Sequence, residues 1–557
     1  DPDKANSLPV SVLPVGGFYR ETKYSMESYD FRATASYNNV FGEDHIVNLF
    51  GGMETNAVNR EKTWFNGVGM QYEMGMLPSY DYLYFKQGNE ENAGYYSVDR
   101  TRQREVSFFG TGTYSYKGRY TLNGTVRYEG SNKLGKSRKA RWLPTWNVSA
   151  AWNAHEEEFW QSFRDVVSNM TLKASYSLTA DRGPASVSNS KAIINSYNTW
   201  RPFTSMKESG LILSSVENSE LTYEKKHELN IGAEIGFIDN RINIEADWYT
   251  RNNFDLIGLI YTKGTGGQLA KFANVASMKS SGVEFTVSTR NIKTKDFSWN
   301  TDFIFSHTKN EVTDLQSNAS VMDMISGNGF AMEGYPVRAL FSMDFQGLNE
   351  NGYPTFINEK GQLTVSDINF QEQLKKDHLV YEGPTDPTMT GSLGNIFRYK
   401  GFTLNAFITY SFGNVIRLDP VFHNVYSDLD AMPREFINRW TTGGDEKVTN
   451  VPVIADKRAN QQDPYLSYAY NAYNYSTERI AKGDFIRMKE LSLSYNFPKK
   501  MISRLKVNDL SLKIQATNLF LIYSDKKLNG QDPEFFNTGG VASPVPRQFT
   551  LTLRLGI

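Results

Sequence analysis

The stretch Pro546-Arg547-Gln548-Phe549-Thr550-Leu551-Thr552-Leu553-Arg554-Leu555-Gly556-Ile557 decides how the rest of the sequence is read. Phe549, Leu551, Leu553, Leu555 and Ile557 alternate without a break against Thr550, Thr552, Arg554 and Gly556. A period of two places the apolar side chains on one face of a strand and the polar ones on the other. The pattern recurs along the chain, and the polar faces carry Arg, Glu, Asp and Asn. A dry core facing such residues would leave charges unpaired at high cost. A lipid-facing outside and a wet inside remove that conflict, so the pattern predicts a transmembrane β-barrel with this stretch as its last strand.

Working outward, the sequence breaks into strand pairs. Tyr29–Asn39 and His45–Thr55 flank a turn at Phe41–Asp44. Glu105–Tyr116 and Tyr120–Glu129 flank Lys117-Gly118. Trp142–Trp152 and Met170–Leu178 flank a short helical connector, His155–Phe163. Leu229–Phe237 and Ile242–Trp248 flank Asp239-Asn240. Gly282–Thr289 and Phe297–His307 flank Asn291–Asp296, and Ser392–Arg398 and Phe402–Phe412 flank Lys400-Gly401. Ile486–Phe497, Leu510–Asn518 and the closing strand follow; a change of phase near Lys489-Glu490 predicts a bulge. The long inserts Met76–Arg102, Ala180–Glu217, Lys309–Thr388 and Val415–Lys482 all fall in one phase of the alternation. Short turns belong to the periplasmic side of an outer-membrane barrel and long loops to the outside. The count is about 15 strands, odd where single-chain bacterial barrels are even. The expectation is therefore one barrel domain over residues 1–557, the C-terminal part of a larger barrel, with Asp1–Ser25 in an extracellular loop. Phe549, Leu551, Leu553, Leu555, Leu229, Ile231, Ile235, Phe402, Leu404 and Ile408 are expected to face lipid. Thr550, Arg554, Glu234, Asn405 and Thr409 are expected to face the lumen.

Composition bounds the function. The 557 residues carry 60 Lys and Arg against 61 Asp and Glu, a net charge of −1, so there is no basic footprint for nucleic acid. Mean hydropathy is −0.49, and no run is long and apolar enough for a membrane helix. A barrel tolerates this, because half of each strand and all loops are polar. The 35 Phe and 32 Tyr fit aromatic girdles at two lipid–water interfaces. With no Cys, disulfide frameworks and thiolate metal sites are excluded. Asp1–Asn6 is polar and shows no signal-peptide h-region.

Catalytic motifs fail in turn. His155-Glu156-Glu157-Glu158 lacks the second His of a zincin helix, and Gly264-Thr265-Gly266-Gly267 lacks the Lys-Ser/Thr of a phosphate loop. No Gly-x-Ser-x-Gly elbow occurs. No catalytic residue, metal or cofactor is therefore assigned. The basic run Lys133, Lys136, Arg138, Lys139, Arg141 reads as a solvated charged loop or as a contact to lipopolysaccharide phosphates. Loop aromatics are the binding candidates. Tyr80, Tyr82 and Tyr84 alternate in one insert, and Trp200 with Arg201 marks another. Tyr465, Tyr468, Tyr470, Tyr473 and Tyr475 crowd a third, interleaved with Asn471 and Asn474. Rings beside amides and hydroxyls suit sugar stacking, peptide side chains or a protein partner. Loop packing is the plain alternative.

Several segments resemble one family. Glu220-Leu221-Thr222-Tyr223-Glu224-Lys225, then Leu229–Phe237 and Asn240-Arg241-Ile242, resembles the "L-x-W-E-K … N-R" stretch of SusC-like TonB-dependent transporters of Bacteroidetes, with Tyr223 in place of Trp. Ser281-Gly282-Val283-Glu284-Phe285, Glu333-Gly334-Tyr335-Pro336, Phe485-Ile486-Arg487-Met488-Lys489, Gln515–Leu519 and Gly530-Gln531-Asp532-Pro533-Glu534 match further family motifs in order. Ile557 departs from the family's aromatic last residue, and no motif precedes Glu220. The resemblance implies a plugged barrel of about 22 strands, of which the plug, the first strands and the TonB-contacting segment are not in this chain. It implies a SusD-like lipoprotein lid and TonB-energised import of oligosaccharides or peptides through the outer membrane, without covalent chemistry. Rival readings are a siderophore or cobalamin receptor without a lid, and a barrel-anchored adhesin.

Overall fold

The computed structural model describes residues 13–78, 82–90, 94–134, 141–183, 192–198, 209–218, 220–261, 270–316, 319–327, 329–420, 422, 434–503, 507–536 and 546–556. Fifteen long strands form one antiparallel sheet in strict chain order. They are β1 (Gly17–Phe41), β2 (His45–Gln71), β3 (Tyr96–Tyr116), β4 (Tyr120–Ser131), β5 (Trp142–Asn153), β6 (Val167–Asp181), β7 (Glu224–Phe237) and β8 (Ile242–Tyr261). Then follow β9 (Ala270–Lys293), β10 (Phe297–Leu315), β11 (Met389–Tyr399), β12 (Phe402–Phe412), β13 (Phe485–Asn496), β14 (Asp509–Ser524) and β15 (Gln548–Gly556). β1 and β15 are the two edges, and among the described residues neither has a second partner.

Register carries each face across the sheet. Leu551 pairs with Ile514, Ile514 with Leu493, Leu493 with Leu404 and Leu404 with Phe397. The row Ile231, Ala174, Ala150, Leu122, Tyr114, Val47 runs through β7 to β2 in the same way. All the residues expected to face lipid fall on this one apolar face, and Phe549, Leu551, Leu553 and Leu555 are each about half exposed or more. The opposite face carries Thr550, Asn405, Thr409 and Glu234; Lys173 and Glu234 form an ion pair there. Large apolar side chains exposed in rows need a lipid solvent, which a membrane barrel supplies.

The expected bulge is present: the β13 register shifts between Met488 and Glu490. His155–Phe163 is a pair of 3₁₀ turns, Ala154–Glu156 and Glu158–Ser162. Strand lengths differ from expectation. β1 and β2 run 25 and 27 residues, well beyond Tyr29–Asn39 and His45–Thr55. β9 begins at Ala270 rather than Gly282, β3 at Tyr96, and β10 ends at Leu315, so the inserts are shorter than expected. On the apolar face of β1 the order Asn39, Tyr37, Ala35, Ala33, Phe31, Tyr29 gives way to Glu27, Ser25 and Lys23. Past Tyr29 both faces are wet, so pairing continues while the apolar alternation stops.

The buried core lies in the long connections. Segments from 319–388 and 415–484 fold into a body with its own cluster, including Val321, Ile325, Met343, Phe356, Phe422, Leu466 and Tyr470. It contains short antiparallel pairs, Ala339–Met343 with Leu379–Pro384 and Val415–Arg417 with Ile480–Lys482, and the helix Leu466–Asn474.

Candidate functional site at the long-loop mouth

The tops of β11, β12, β13 and β14 meet this loop body around two cavities. The larger, of about 360 Å³, is lined by Arg338, Ser411, Asn414, Phe485, Glu534 and Phe536 among others. The smaller, of about 110 Å³, is lined by Asp419, Glu435, Arg479, Lys527 and Phe536, so Phe536 belongs to both. The β12 exit is set by Gly413 at φ +86°, where a Cβ would lie 2.1 Å from Thr388 Oγ1. Its N–H donates to Asp484 at 2.7 Å, which sets the two ends of the 413–484 connection together.

Three buried arginines tie the mouth together. Arg417 donates to the carbonyls of Ser476 at 2.8 Å, Phe341 at 2.6 Å and Ile325 at 3.4 Å, joining three segments of the body. Burial pulls its guanidinium down to about 10, opposed by nearby Glu382, whose carboxyl burial pushes up. Arg479 reaches Glu435 at 2.6 Å and the Asp419 carbonyl at 2.9 Å. Burial raises the Asp419 carboxyl, and Arg479 partly opposes this. Arg487 of β13 pairs with Asp532 at 2.5 Å and Glu534 at 3.3 Å. Asp532 also accepts the Glu534 N–H at 3.1 Å, capping the turn Pro533–Phe535.

Polar groups line the wall of the larger cavity. Arg338 pairs with Asp386 at 2.7 Å with both half exposed. Asn414 donates to Thr385 at 3.4 Å, while its buried Oδ1 has no partner among the described residues. A second network lies at β3, β4 and the loop after β6, where Arg182 pairs with Glu105 and, at 3.5 Å, with Glu129. Beside it Tyr223 is fully buried and donates to the Arg141 carbonyl at 3.3 Å. Burial, then Glu129, pushes its hydroxyl up to about 12. Fixed charges, an open amide and rings such as Phe485 and Phe536 can hold a polar ligand by hydrogen bonds and stacking. Among the described residues no group of three His, Cys, Asp or Glu is placed to hold a metal ion.

The aromatic candidates separate. Tyr80, Trp200 and Arg201 lie outside the described residues. Tyr82 is exposed at the start of the helix Tyr82–Glu90. The segment read as a loop around Tyr465–Tyr475 is largely the helix Leu466–Asn474, and its tyrosines face different ways. Tyr470 is buried with its hydroxyl on the Val453 carbonyl at 2.8 Å. Tyr473 is buried edge-on to Phe345 and Phe422, and burial raises its hydroxyl. Tyr475 is half-buried beneath Arg417, 5.9 Å from its ring centroid. Tyr465 and Tyr468 are exposed, 5.8 Å apart, and Tyr468 also meets Phe370. Leu466, Ala469, Tyr470 and Tyr473 recur at helical spacing, which is the sequence signal for this inward face. Arg338, Asn414, Arg417 and Arg479 carried no sequence signal. Arg487 and Asp532 sit in two separate motifs whose pairing only the fold reveals.

The sequence profile of the β-barrel of TonB dependent receptor-like proteins matches residues 4–430. The chain belongs to that family. It is an outer-membrane β-barrel chain of TonB dependent receptor-like proteins. The "TonB-dependent receptor P3" of Formosa agariphila is 24% identical over 531 residues, covering 93% of this chain and 49% of that protein. The "TonB-dependent receptor SusC" of Bacteroides thetaiotaomicron is 25% identical over 478 residues, covering 82% of this chain and 44% of that protein. The chain thus spans about half the length of the curated relatives it matches. Among solved structures, one described as "Structure of the RagAB peptide transporter" superposes with a TM-score of 0.77 at 21% identity. That match covers 97% of this chain and 56% of the other.

Proposed function

We propose that this chain forms wall and mouth of an outer-membrane importer of oligosaccharides or oligopeptides, energised through TonB and lidded by a SusD-like surface lipoprotein. The observation that carries this reading is the folded loop body, seated on two polar-aromatic cavities on the long-loop side. A receptor that only anchored a surface loop would need no cavity against the strand tops. Likeness to proteins named SusC and RagAB supports it. In this reading, further strands and a plug from the rest of the same polypeptide complete the barrel, and the plug contacts TonB. The lipoprotein lid and ligand share the outward surface that includes Tyr82, Tyr465 and Tyr468; Trp200, Arg201 and Tyr80 remain candidates for it. Lipopolysaccharide surrounds the outer rim. No covalent step is required: ligand favours the closed lid by its extra contacts there.

The test is uptake by intact cells expressing the full-length protein. Fluorescent oligosaccharides and oligopeptides are supplied separately, with and without TonB. One class should accumulate only when TonB is present, and a Tyr465→Ala/Tyr468→Ala variant should accumulate it more slowly or lose the co-purifying lipoprotein. Equal accumulation without TonB, or of neither class, would refute the reading.

A further inference from the structure

The short-turn rim of the sheet is divided by charge. Across β1 to β7 the turns carry Glu43, Asp44, Glu156, Glu157, Glu158 and Asp165 against Lys117, Arg119 and Arg164, and the first two cations pair with Asp44 and Glu157. Across β9 to β14 the turns carry Lys293, Lys295, Lys400, Lys499 and Lys500, all exposed. Asp296 and Asp509, the first residue of β14, are the acids among them, and none of these five lysines has an ion-pair partner among the described residues. The hairpins are held side by side, with the Lys400 N–H on the Asp296 carbonyl at 3.2 Å.

Directly above, on the apolar face, lies a chain of polar side chains. Thr289 donates to Asn291 at 2.9 Å, and Asn291 to Thr301 at 2.7 Å. Thr301 and the Trp299 indole N–H both donate to Asn395 Oδ1, at 2.8 and 2.9 Å. Register places Thr289, Thr301 and Asn395 in one row with Ala406, on the lipid side of the sheet. Each side chain of the network donates at least one hydrogen bond except Asn395, whose NH₂ has no partner among the described residues. Trp299 stacks on Phe397 at 5.6 Å, and Tyr399 and Phe402 are exposed beside them, so the chain sits in the girdle where head groups meet acyl tails. An amide at that depth needs an acceptor that water does not reliably provide.

We propose that this sector binds an anionic phospholipid of the periplasmic leaflet. The lysines on the β9–β10 and β11–β12 turns, with Lys499 and Lys500 alongside, receive the phosphate. The Asn395 amide, five residues up β11 from Lys400 and past the Tyr399 and Phe397 rows, donates to a glycerol-ester carbonyl, and the long lysine stems reach up to the phosphate below it. Charge complementarity selects the head group, and the polar chain fixes the depth of the glycerol. This goes beyond the import reading and stands without it, because it uses only the membrane placement of the sheet.

The experiment uses the full-length protein in detergent micelles, titrated with phosphatidylglycerol or phosphatidylcholine and read by native mass spectrometry of retained lipid. Wild type should retain phosphatidylglycerol in preference. Lys293→Gln/Lys295→Gln/Lys400→Gln should weaken phosphatidylglycerol retention by roughly fivefold per lysine and leave phosphatidylcholine unchanged. Asn395→Leu should weaken both lipids and keep the preference. Glu156→Gln/Glu158→Gln, on the other half of the rim, should change neither. Equal retention of the two lipids by wild type, or an unchanged preference in the triple-lysine variant, overturns the proposal. So does displacement of phosphatidylglycerol by poly-glutamate at equal affinity, which would assign the patch to an acidic protein segment. Heat-shifted electrophoretic migration of every variant verifies that the barrel is folded.

Discussion

Replacing Arg487 by Met tests whether the mouth is held by buried charge. The Arg487 side chain is 4% exposed and that of Asp532 is 9%, at 2.5 Å. Removing one partner of a buried pair leaves the other carboxylate unpaired, which costs about 3–5 kcal/mol. Asp532 keeps the Glu534 N–H at 3.1 Å, so the low end applies. Glu534 itself is 40% exposed and loses at most about 1 kcal/mol, as surface pairs do. About 3 kcal/mol corresponds to roughly two decades in a local opening equilibrium. The effect should be local, since Gly530–Glu534 is a loop and β13 keeps its ladders to β12 and β14. The assay is amide hydrogen exchange over Gln531–Phe535, whose N–H groups bond to Leu528 and Asp532. Exchange there should accelerate roughly a hundredfold in Arg487→Met and return most of the way in Arg487→Met/Asp532→Asn, which removes both charges and keeps a capping oxygen. Equal exchange in the single and double variants would refute the reasoning.

Leu553→Arg, on the apolar face, should destabilise the folded barrel by about 2–4 kcal/mol if it lies near the bilayer midplane, while Thr552→Arg on the other face should change little; urea-dependent electrophoretic migration reads both. Tyr473→Ala should cost the loop body about 3–5 kcal/mol through the cavity left against Phe345 and Phe422, whereas exposed Tyr465→Ala should stay within about 0.5 kcal/mol; limited proteolysis within 434–484 separates them. Glu382→Gln tests a pH effect. Burial raises the folded carboxyl above its ordinary value, so its contribution is complete in acid and is lost as pH rises through the raised value. The variant's loop body should therefore resist proteolysis better than wild type at neutral pH, and the gap should close on acidification.

How much of this was legible in the sequence depends on which solvent each residue meets. Between Tyr29 and Asn39, and again from Phe549 to Leu555, one face meets lipid and the other water, and alternation is forced. Beyond that belt Ser25 faces Glu61 and Lys23 faces Thr63, both sides are wet, and the pairing leaves no hydrophobic signature. The loop helix was legible in principle: Leu466, Ala469, Tyr470 and Tyr473 repeat at helical spacing. The five tyrosines mask it, because a ring buried on Phe422 and a ring open to solvent look alike in sequence. Arg487 with Asp532 was not legible at all. Each side chain has a partner only because β13 and the end of β14 are neighbours in the sheet.

The division of solvents also divides what mutations can do. All three clusters of buried apolar residues among the described residues are built from loop segments, not from the wall. The wall's own apolar side chains, such as Leu404, Leu493 and Ile514, are open on the lipid side. Wall stability therefore rests on the ladder and the bilayer, and loop-body stability on packing and on Arg417, Arg479 and Arg487. The two are joined where loop segments meet the strand tops: Val312 of β10 with Gly334 and Tyr335, Asn310 with Val337, the Gly413–Asp484 closure and the Arg487 pair. A body with its own core can keep the shape of the mouth while the wall beneath it flexes with the membrane. It can also lose that shape without the barrel unfolding. Changes at Tyr473 or Arg417 should consequently appear as lost capture in a fully inserted barrel, and changes at Leu553 as lost insertion with an intact loop body.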